Sequence, residues 1–159
     1  MSPSRFVAAV LISFATLATV LSARAQSQAA DGVIKVKSVY AMDETVDRLK
    51  KDVAAKGIIF FQEIDQSKLA ANAGVKLPRS TLLVFGNPPL GTLFLTSKPE
   101  SGLDWPVRLL VYQDGKGDVW TAYTDFGWIA RRHGIRDRDE QFKTATGVIA
   151  SITSSVAAK

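Results

Sequence analysis

His133 is the side chain of this sequence expected to titrate near neutral pH, because the 159 residues contain one histidine and no cysteine. As a general acid or base, His133 needs an orienting carboxylate, and the sequence offers Asp104 or Asp125. The structural alternative is a cation near the C-terminus of a helix predicted to end at this histidine. The same counts exclude disulfides, thiolate catalysis and any site that takes two imidazoles from one chain. We therefore predict no metal and no cofactor.

Three further polar side chains lie where a predicted strand meets a turn. Asn87 follows an apolar run and precedes a proline, so its amide either caps a turn or faces a pocket. Asp104 precedes Trp105-Pro106, where a carboxylate acts as a base of raised pKa or caps a strand. Tyr123 ends a strand, where its ring packs and its hydroxyl takes one partner. The predicted binding crevice is lined by Asn87, Asp104, Tyr123 and His133.

Charge excludes some classes of function. The net charge is +5, from 20 basic and 15 acidic residues, which is too small and too dispersed to predict nucleic-acid binding. Four arginines cluster near the histidine, with acids interleaved: Arg131, Arg132, Arg136 and Arg138. This cluster is either an anion site or a solvated surface whose charges pair locally, and the interleaved acids favour the second interpretation. Glycine-rich phosphate loops and serine nucleophile elbows are absent from the sequence.

Residues 1–25 have the layout of a secretory signal peptide. Phe6 to Leu21 contains no charged residue, and Ala23-Arg24-Ala25 places small residues where a signal peptidase cleaves. The alternative is a retained membrane anchor, because the apolar run approaches the ~20 residues that cross a bilayer. The pattern favours cleavage before Gln26, a periplasmic or secreted product, and no stable membrane insertion after cleavage.

The rest of the chain is predicted to be a linker over 26–32 and a single α+β domain over 33–159. Strand patterns occur at Val33–Tyr40, Ile58–Ile64, Thr81–Phe85, Val107–Tyr112 and Val119–Tyr123. A long helix is predicted from Asp43, as N-cap, to Gly57, and its apolar stripe is Val46, Leu49 and Val53. A second long helix is predicted from Phe142 to Val156. Shorter helices are predicted at Gln66–Ala73 and Phe126–His133, whereas 91–97 is assigned to neither helix nor strand.

This order predicts a fold class. We expect an antiparallel or mixed sheet with helices on one face, in the order strand, helix, four strands, helix, with short extra helices between. A doubly wound sheet is disfavoured because one helix alone is long enough to connect parallel strands. The other face of the sheet then needs cover, and Trp105, Trp120, Phe60 or Phe61 would supply it across a dimer interface.

Five short motifs follow one another between residues 85 and 134. They are Phe85-Gly86-Asn87-Pro88, Gly91-Thr92, Leu103-Asp104 with Pro106, the Asp114-Gly115 hairpin and Arg132-His133-Gly134. With these motifs the chain resembles the bacterial domain of unknown function 302, over roughly residues 36–155. The resemblance implies a strand, a helix, four further strands and a C-terminal helix, as a homodimer, with no established reaction. Many relatives have a histidine where this chain has Gln66, which weakens any use of paired histidines here.

We accordingly predict an exported, dimeric domain that binds a small ligand or a partner without established catalysis. The alternative from another class is a small envelope enzyme that performs proton-transfer or hydrolytic chemistry with His133 and Asp104. A third interpretation is a purely structural dimer module.

Overall fold

The computed structural model describes residues 31–159, so the predicted signal peptide and most of the predicted linker lie outside the described residues. The elements are β1 (Val33–Lys37), α1 (Met42–Ala55), β2 (Ile59–Asp65), α2 (Gln66–Asn72), β3 (Ser80–Gly86), α3 (Pro88–Ser97), a 3-10 turn (Pro99–Leu103), β4 (Val107–Gln113), β5 (Val119–Thr124), α4 (Phe126–His133) and α5 (Asp139–Ser154). The predicted α+β class and the predicted order of elements are confirmed.

The five strands form one antiparallel sheet in the order β1-β5-β4-β3-β2. Its centre is set by cross-strand pairs such as Leu83 with Leu109 and Leu110 with Ala122. β1 comes first in the chain but pairs with the last strand, β5, and is therefore an edge of the sheet. Of the two sheet types expected, the antiparallel one is correct.

Helices pack against one face of this sheet and close the core. Leu83 and Leu109 on the sheet have no exposed surface, and neither have Leu49 of α1 and Ile152 of α5. The apolar stripe predicted for α1 is buried in this layer, as expected for an amphipathic helix. The opposite face also carries apolar side chains, but these are only half-buried: Leu82, Val84, Leu110, Tyr112 and Trp120.

Two local predictions need correction or completion. α1 begins at Met42 with Ala41 as its N-cap and no side-chain cap, so Asp43 is not the N-cap. Its carboxylate instead pairs with the guanidinium of Arg79, just before β3. Residues 91–97 belong to a helix, α3, whose mostly apolar sequence has no polar face to reveal a helical period.

The antiparallel order brings four of the five motif-bearing segments to one end of the sheet, whereas the Asp114-Gly115 hairpin, between β4 and β5, lies at the other end. β3 and β5 end there, at Gly86 and Thr124, while β4 begins there at Val107, opposite Phe85. The connections at this end are α3, the 3-10 turn and α4. We call this the cavity end of the sheet, and every residue of the predicted crevice lies on or next to it.

Candidate functional site

An apolar cavity of about 40 Å³ lies at the cavity end, between the sheet, α3 and α5. Its lining includes residues from two of the sequence motifs, Trp105 from within a third, and residues of α5: Phe85, Gly86, Asn87, Leu90, Gly91, Phe94, Trp105, Val107, Phe126, Ala145, Val148, Ile149 and Ile152, together with Ile58. Segments far apart in sequence thus share one surface.

Trp105 forms a wall of this cavity by lying against two glycines. A Cβ atom on Gly91 would come within 1.7 Å of Trp105 Nε1, and one on Gly86 within 3.3 Å of the same nitrogen. Phe61 meets the indole edge-on at 6.3 Å between ring centroids. Glycine is therefore required at position 91 for the indole to occupy its place.

Asn87 lies at the cavity and also caps α3. Its Oδ1 accepts a hydrogen bond from the backbone N–H of Leu90 at 3.4 Å, and the first two helical positions are Pro88 and Pro89. Because proline has no N–H, this helix N-terminus offers no free donor from its first two residues. With Oδ1 held by the cap, Nδ2 of Asn87 makes no hydrogen bond within residues 31–159, so its two N–H donors remain available.

The cavity shares four lining residues with a larger groove of about 650 Å³: Ile58, Asn87, Leu90 and Val148. The groove has a polar rim that the cavity lacks, which includes Lys56, Glu140 and Lys143. Lys56, the C-cap residue of α1, is already paired with Asp52 of that helix at 2.7 Å. The shared residues place the apolar cavity beside the polar-rimmed groove.

Asp104 and His133 contact each other directly. Their side chains are 5% and 7% exposed, and His133 Nε2 lies 2.7 Å from Asp104 Oδ2. Arg132 Nη1 approaches the same oxygen at 3.1 Å, and Arg108 Nη2 lies 3.4 Å from Oδ1. An ionised carboxylate only accepts hydrogen bonds, so Nε2 of His133 carries the proton in this contact.

This geometry satisfies one requirement of the enzyme hypothesis and opposes another. Asp104 orients the imidazole, as a general acid or base requires. The carboxylate is also buried beneath three donors, which leaves it little capacity to act as a base itself. The contacts of Asp104 with His133 and Arg132 join the end of the 3-10 turn to the last turn of α4. Asp125, the other candidate orienter, instead caps α4 through Gly127 N and Trp128 N, each at 3.1 Å.

The four predicted binding residues are therefore only partly brought together. Asp104 meets His133, and Asn87 lines the cavity, but neither member of the Asp104–His133 pair lines the cavity or the groove. Tyr123 is 6% exposed and belongs to the hydrophobic core on the helix face of β5. Whether any of the four serves a ligand stays a prediction.

Sequence reasoning missed the residues that give the site its shape. The sequence indicated Trp105 only as cover for the sheet, and it gave no reason to assign Leu90, Val148 or Lys143 to binding. Gly86 and Gly91 were the available signal, because a glycine often marks a place where another part of the chain approaches the backbone closely. No local sequence pattern indicates that α5 lines the cavity, because its cavity residues look like those of any amphipathic helix.

Neither a cluster of metal ligands nor a membrane-spanning helix occurs in the described part of the chain. Within residues 31–159, no three His, Cys, Asp or Glu side chains gather as ligands of a metal ion would. Over the same residues, no helix has both the length and the apolar character to span a bilayer.

The chain belongs to the family described as domain of unknown function DUF302, whose model matches residues 34–152. The predicted resemblance is confirmed. The fold resembles the crystal structure of the uncharacterized conserved protein DUF302 from Bacillus stearothermophilus, with a TM-score of 0.73 at 17% identity, covering 80% of this chain and 99% of that one.

Curated relatives are named as fluoride-specific ion channels. FluC 1 of Brucella suis biovar 1 is 36% identical over 104 residues, which cover 65% of this chain and 41% of the relative. FluC 1 of Brucella abortus biovar 1 has the same identity, with 38% of its length covered. This chain thus spans about two-fifths of the length of these relatives.

Proposed function

We propose that this DUF302 chain is an exported domain that binds a small molecule in the groove and the adjoining apolar cavity, without established catalysis. The observation that carries the proposal is a nearly wholly apolar cavity that shares four lining residues with a polar-rimmed groove of about 650 Å³. Small-molecule sites are typically concave and mostly apolar, with a few polar groups that orient the ligand.

Packing energetics support this use of the cavity. Protein interiors are close-packed, and side chains that line a void lose dispersion contacts. Filling this void would take only a larger residue at Ala145, which lines it from α5. Leu90 and Val148 line both the cavity and the groove, so a ligand in the groove would contact residues of the cavity as well.

Thermal-shift screening of a small-molecule library tests the proposal. The parent protein is compared with Val148→Phe, which places a ring where the cavity meets the groove, and with Ser154→Phe, an exposed position on the same helix outside the groove. We expect hits that stabilise the parent and Ser154→Phe but not Val148→Phe. Hits unaffected by the ring at position 148, or no hits at all, contradict the proposal.

The second candidate function is the envelope enzyme, and the 2.7 Å contact between Asp104 and His133 is the observation that favours it. A bell-shaped pH profile for turnover of a hydrolase substrate panel, abolished in His133→Gln, would support it. Turnover that does not change in that variant would exclude His133 as a catalytic residue.

Dimerisation and export are further parts of the proposal. A second copy of this chain would cover the half-buried apolar face of the sheet, centred on Leu82 and Leu110. Light scattering of the mature protein should then give twice the monomer mass, and a monomer at about tens of micromolar contradicts it. Export predicts a soluble product that begins at Gln26, which intact-mass analysis checks; a full-length chain in the membrane fraction contradicts it.

A further inference from the structure

We propose that α3 is a lid on the apolar cavity and that Arg138, the residue before α5, is the positioning residue that holds this lid closed. The lid rests on the proposed function and adds to it the way in which a ligand enters the cavity. Three observations support it: the low intrinsic stability of α3, the contacts that Arg138 makes with α3, and the place of α3 in the cavity wall.

The sequence of α3 gives this helix little stability of its own. After two N-terminal prolines, its eight remaining residues include a glycine, two threonines and a serine, and no alanine or charged residue. A helix this short is marginal in water, so α3 depends on contacts with the rest of the domain. Of its residues, Gly91 and Phe94 are buried. Elements with so few buried residues are the ones that open locally while the core stays folded.

Arg138 makes two hydrogen bonds to the C-terminal half of α3. Its Nε donates to the carbonyl oxygen of Leu93 at 3.2 Å, and its Nη2 donates to Thr96 Oγ1 at 3.3 Å. The last turn of α3 has no basic residue of its own. Because a helix C-terminus carries partial negative charge, the guanidinium of Arg138 stabilises α3 from outside the helix.

Asp137 completes this connection between α3 and the start of α5. Its carboxylate accepts hydrogen bonds from Arg138 Nη1 at 2.8 Å and from Ser97 Oγ at 3.0 Å. The side chain of Asp137 is 60% exposed and that of Arg138 is 26% exposed. These polar groups can therefore exchange their contacts for water when α3 moves, without leaving a buried charge unpaired. Such a connection can open and close.

α3 forms a part of the cavity wall that borders the groove. Leu90, Gly91 and Phe94 line the cavity, and Leu90 also lines the groove. The cavity, at about 40 Å³, holds few atoms, since one water takes ~10–15 Å³ by the same measure. Phe94 also stacks on Phe142 of α5, at 4.2 Å between ring centroids. Separating α3 from α5 would break this stack and widen the cavity, so that a larger apolar group could enter.

The chain has no cysteine, so one introduced thiol reports directly on the opening of α3. Ala145→Cys places a thiol in the cavity lining of α5, at a position that is 6% exposed. The reagent is dithiobisnitrobenzoate, which is far larger than the cavity. Val53→Cys is the matched control, because this fully buried position on α1 lies outside the cavity and is reached when the whole domain unfolds.

We expect the thiol at position 145 to react at least about tenfold faster than the thiol at position 53. Its rate should also depend weakly on urea below the unfolding transition, because moving one helix exposes little surface, whereas the rate at position 53 should rise steeply. Equal rates with equal urea dependence mean that α3 opens only when the whole domain unfolds, and this result overturns the lid.

Variants of Arg138 test its role, each in the Ala145→Cys background. Arg138→Gln should raise the labelling rate about tenfold while the weak urea dependence persists, as for the loss of charge-assisted hydrogen bonds. Arg138→Lys keeps the charge but loses the planar fork, so its rate should lie between those of the parent and Arg138→Gln. Arg136→Gln is the matched control, since this exposed arginine makes no hydrogen bond or ion pair within residues 31–159. No effect of Arg138→Gln, or an equal effect of Arg136→Gln, contradicts the role of Arg138.

The lid and the proposed function fail in different ways. If the two thiols react alike while a library hit binds and is blocked by Val148→Phe, the lid is wrong and the binding function stands. If the thiol at position 145 reacts quickly under the control of Arg138 while no library compound binds in a manner sensitive to Val148→Phe, the movement of α3 stands and the binding function is wrong.

Discussion

Gly91→Ala tests whether the close packing of Trp105 on α3 is essential to the fold. Gly91 is a buried interior residue of α3, where alanine is ordinarily preferred to glycine by about 1 kcal/mol. Here, however, the new Cβ would lie 1.7 Å from Trp105 Nε1 and 2.4 Å from Cδ1 and Cε2. No rotation of a methyl group relieves these overlaps, so the indole itself must move.

The expected loss of stability is the cost of overpacking minus the gain in helix propensity. Overpacking a core costs ~1–3 kcal/mol, and the upper value applies because a rigid ring is displaced rather than a flexible side-chain end. Subtracting the ~1 kcal/mol gained from helix propensity leaves a net destabilisation of about 2 kcal/mol. The ring has little room to retreat on the side of Gly86 and Phe61, because Phe61 meets it edge-on and the backbone of Gly86 lies close enough that an added Cβ atom would be 3.3 Å from the indole.

Urea unfolding of Gly91→Ala, of Gly147→Ala and of Gly91→Ala in a Trp105→Ala background measures this effect. Gly147 lies inside α5, and a Cβ atom there would have no neighbour within 4 Å, so alanine should stabilise by ~0.5–1 kcal/mol. Once Trp105 is replaced, Gly91→Ala should no longer destabilise. The reasoning is refuted if Gly91→Ala alone is as stable as the parent, or if the loss persists without the indole.

Three other predictions concern regions outside the cavity. Replacing His133 with Ala should cost about 1.5–3 kcal/mol in urea unfolding, because a hydrogen bond to the buried carboxylate of Asp104 is lost; an unchanged midpoint contradicts this. Hydrogen bonds from the Trp120 indole and from backbone N–H groups hold the pKa of Asp114 below its ordinary value of 3.8. This stabilisation is complete above the ordinary pKa and is lost as pH falls through the folded-state pKa, so Asp114→Asn should flatten the acid-side decline of the urea midpoint; an unaltered decline contradicts it. Leu110→Lys, on the half-buried sheet face, should convert the proposed dimer to a folded monomer in light scattering, and a persisting dimer contradicts this interface.

The parts of the fold that local patterns determine were predictable. Val46, Leu49 and Val53 recur at helical spacing and are buried as that spacing predicts. The assignment of 91–97 failed because α3 lies among apolar neighbours and lacks a polar face, so length and flanking prolines were the remaining clues. Asp43 is a residue type that often caps helices, but its carboxylate pairs with Arg79. Arg79 lies far along the chain, so no local pattern predicts this partner.

The candidate site was less predictable because it depends on proximity between distant segments. Asn87 could be recognised from its turn, and Asp104 could be named as a partner of His133 without any knowledge of distance. The cavity itself requires Val148 of α5 to lie beside Leu90 of α3, and periodicity says nothing about which helices become neighbours.

Asp104 and Trp105 are neighbours in the chain but have different roles: one is bound by His133 and the other lines the cavity. This connection determines how His133 affects ligand binding. Asp104 is fastened to α4 by His133 and Arg132, and the next residue, Trp105, walls the cavity. His133 is thus a positioning residue for Trp105. His133→Ala should move the Trp105 indole resonance and weaken binding, whereas His133→Gln, which keeps a donor near the Nε2 position, should restore both. A catalytic or ligand-contacting imidazole would instead leave the Trp105 resonance in place in the free His133→Ala protein, and glutamine would not restore its function.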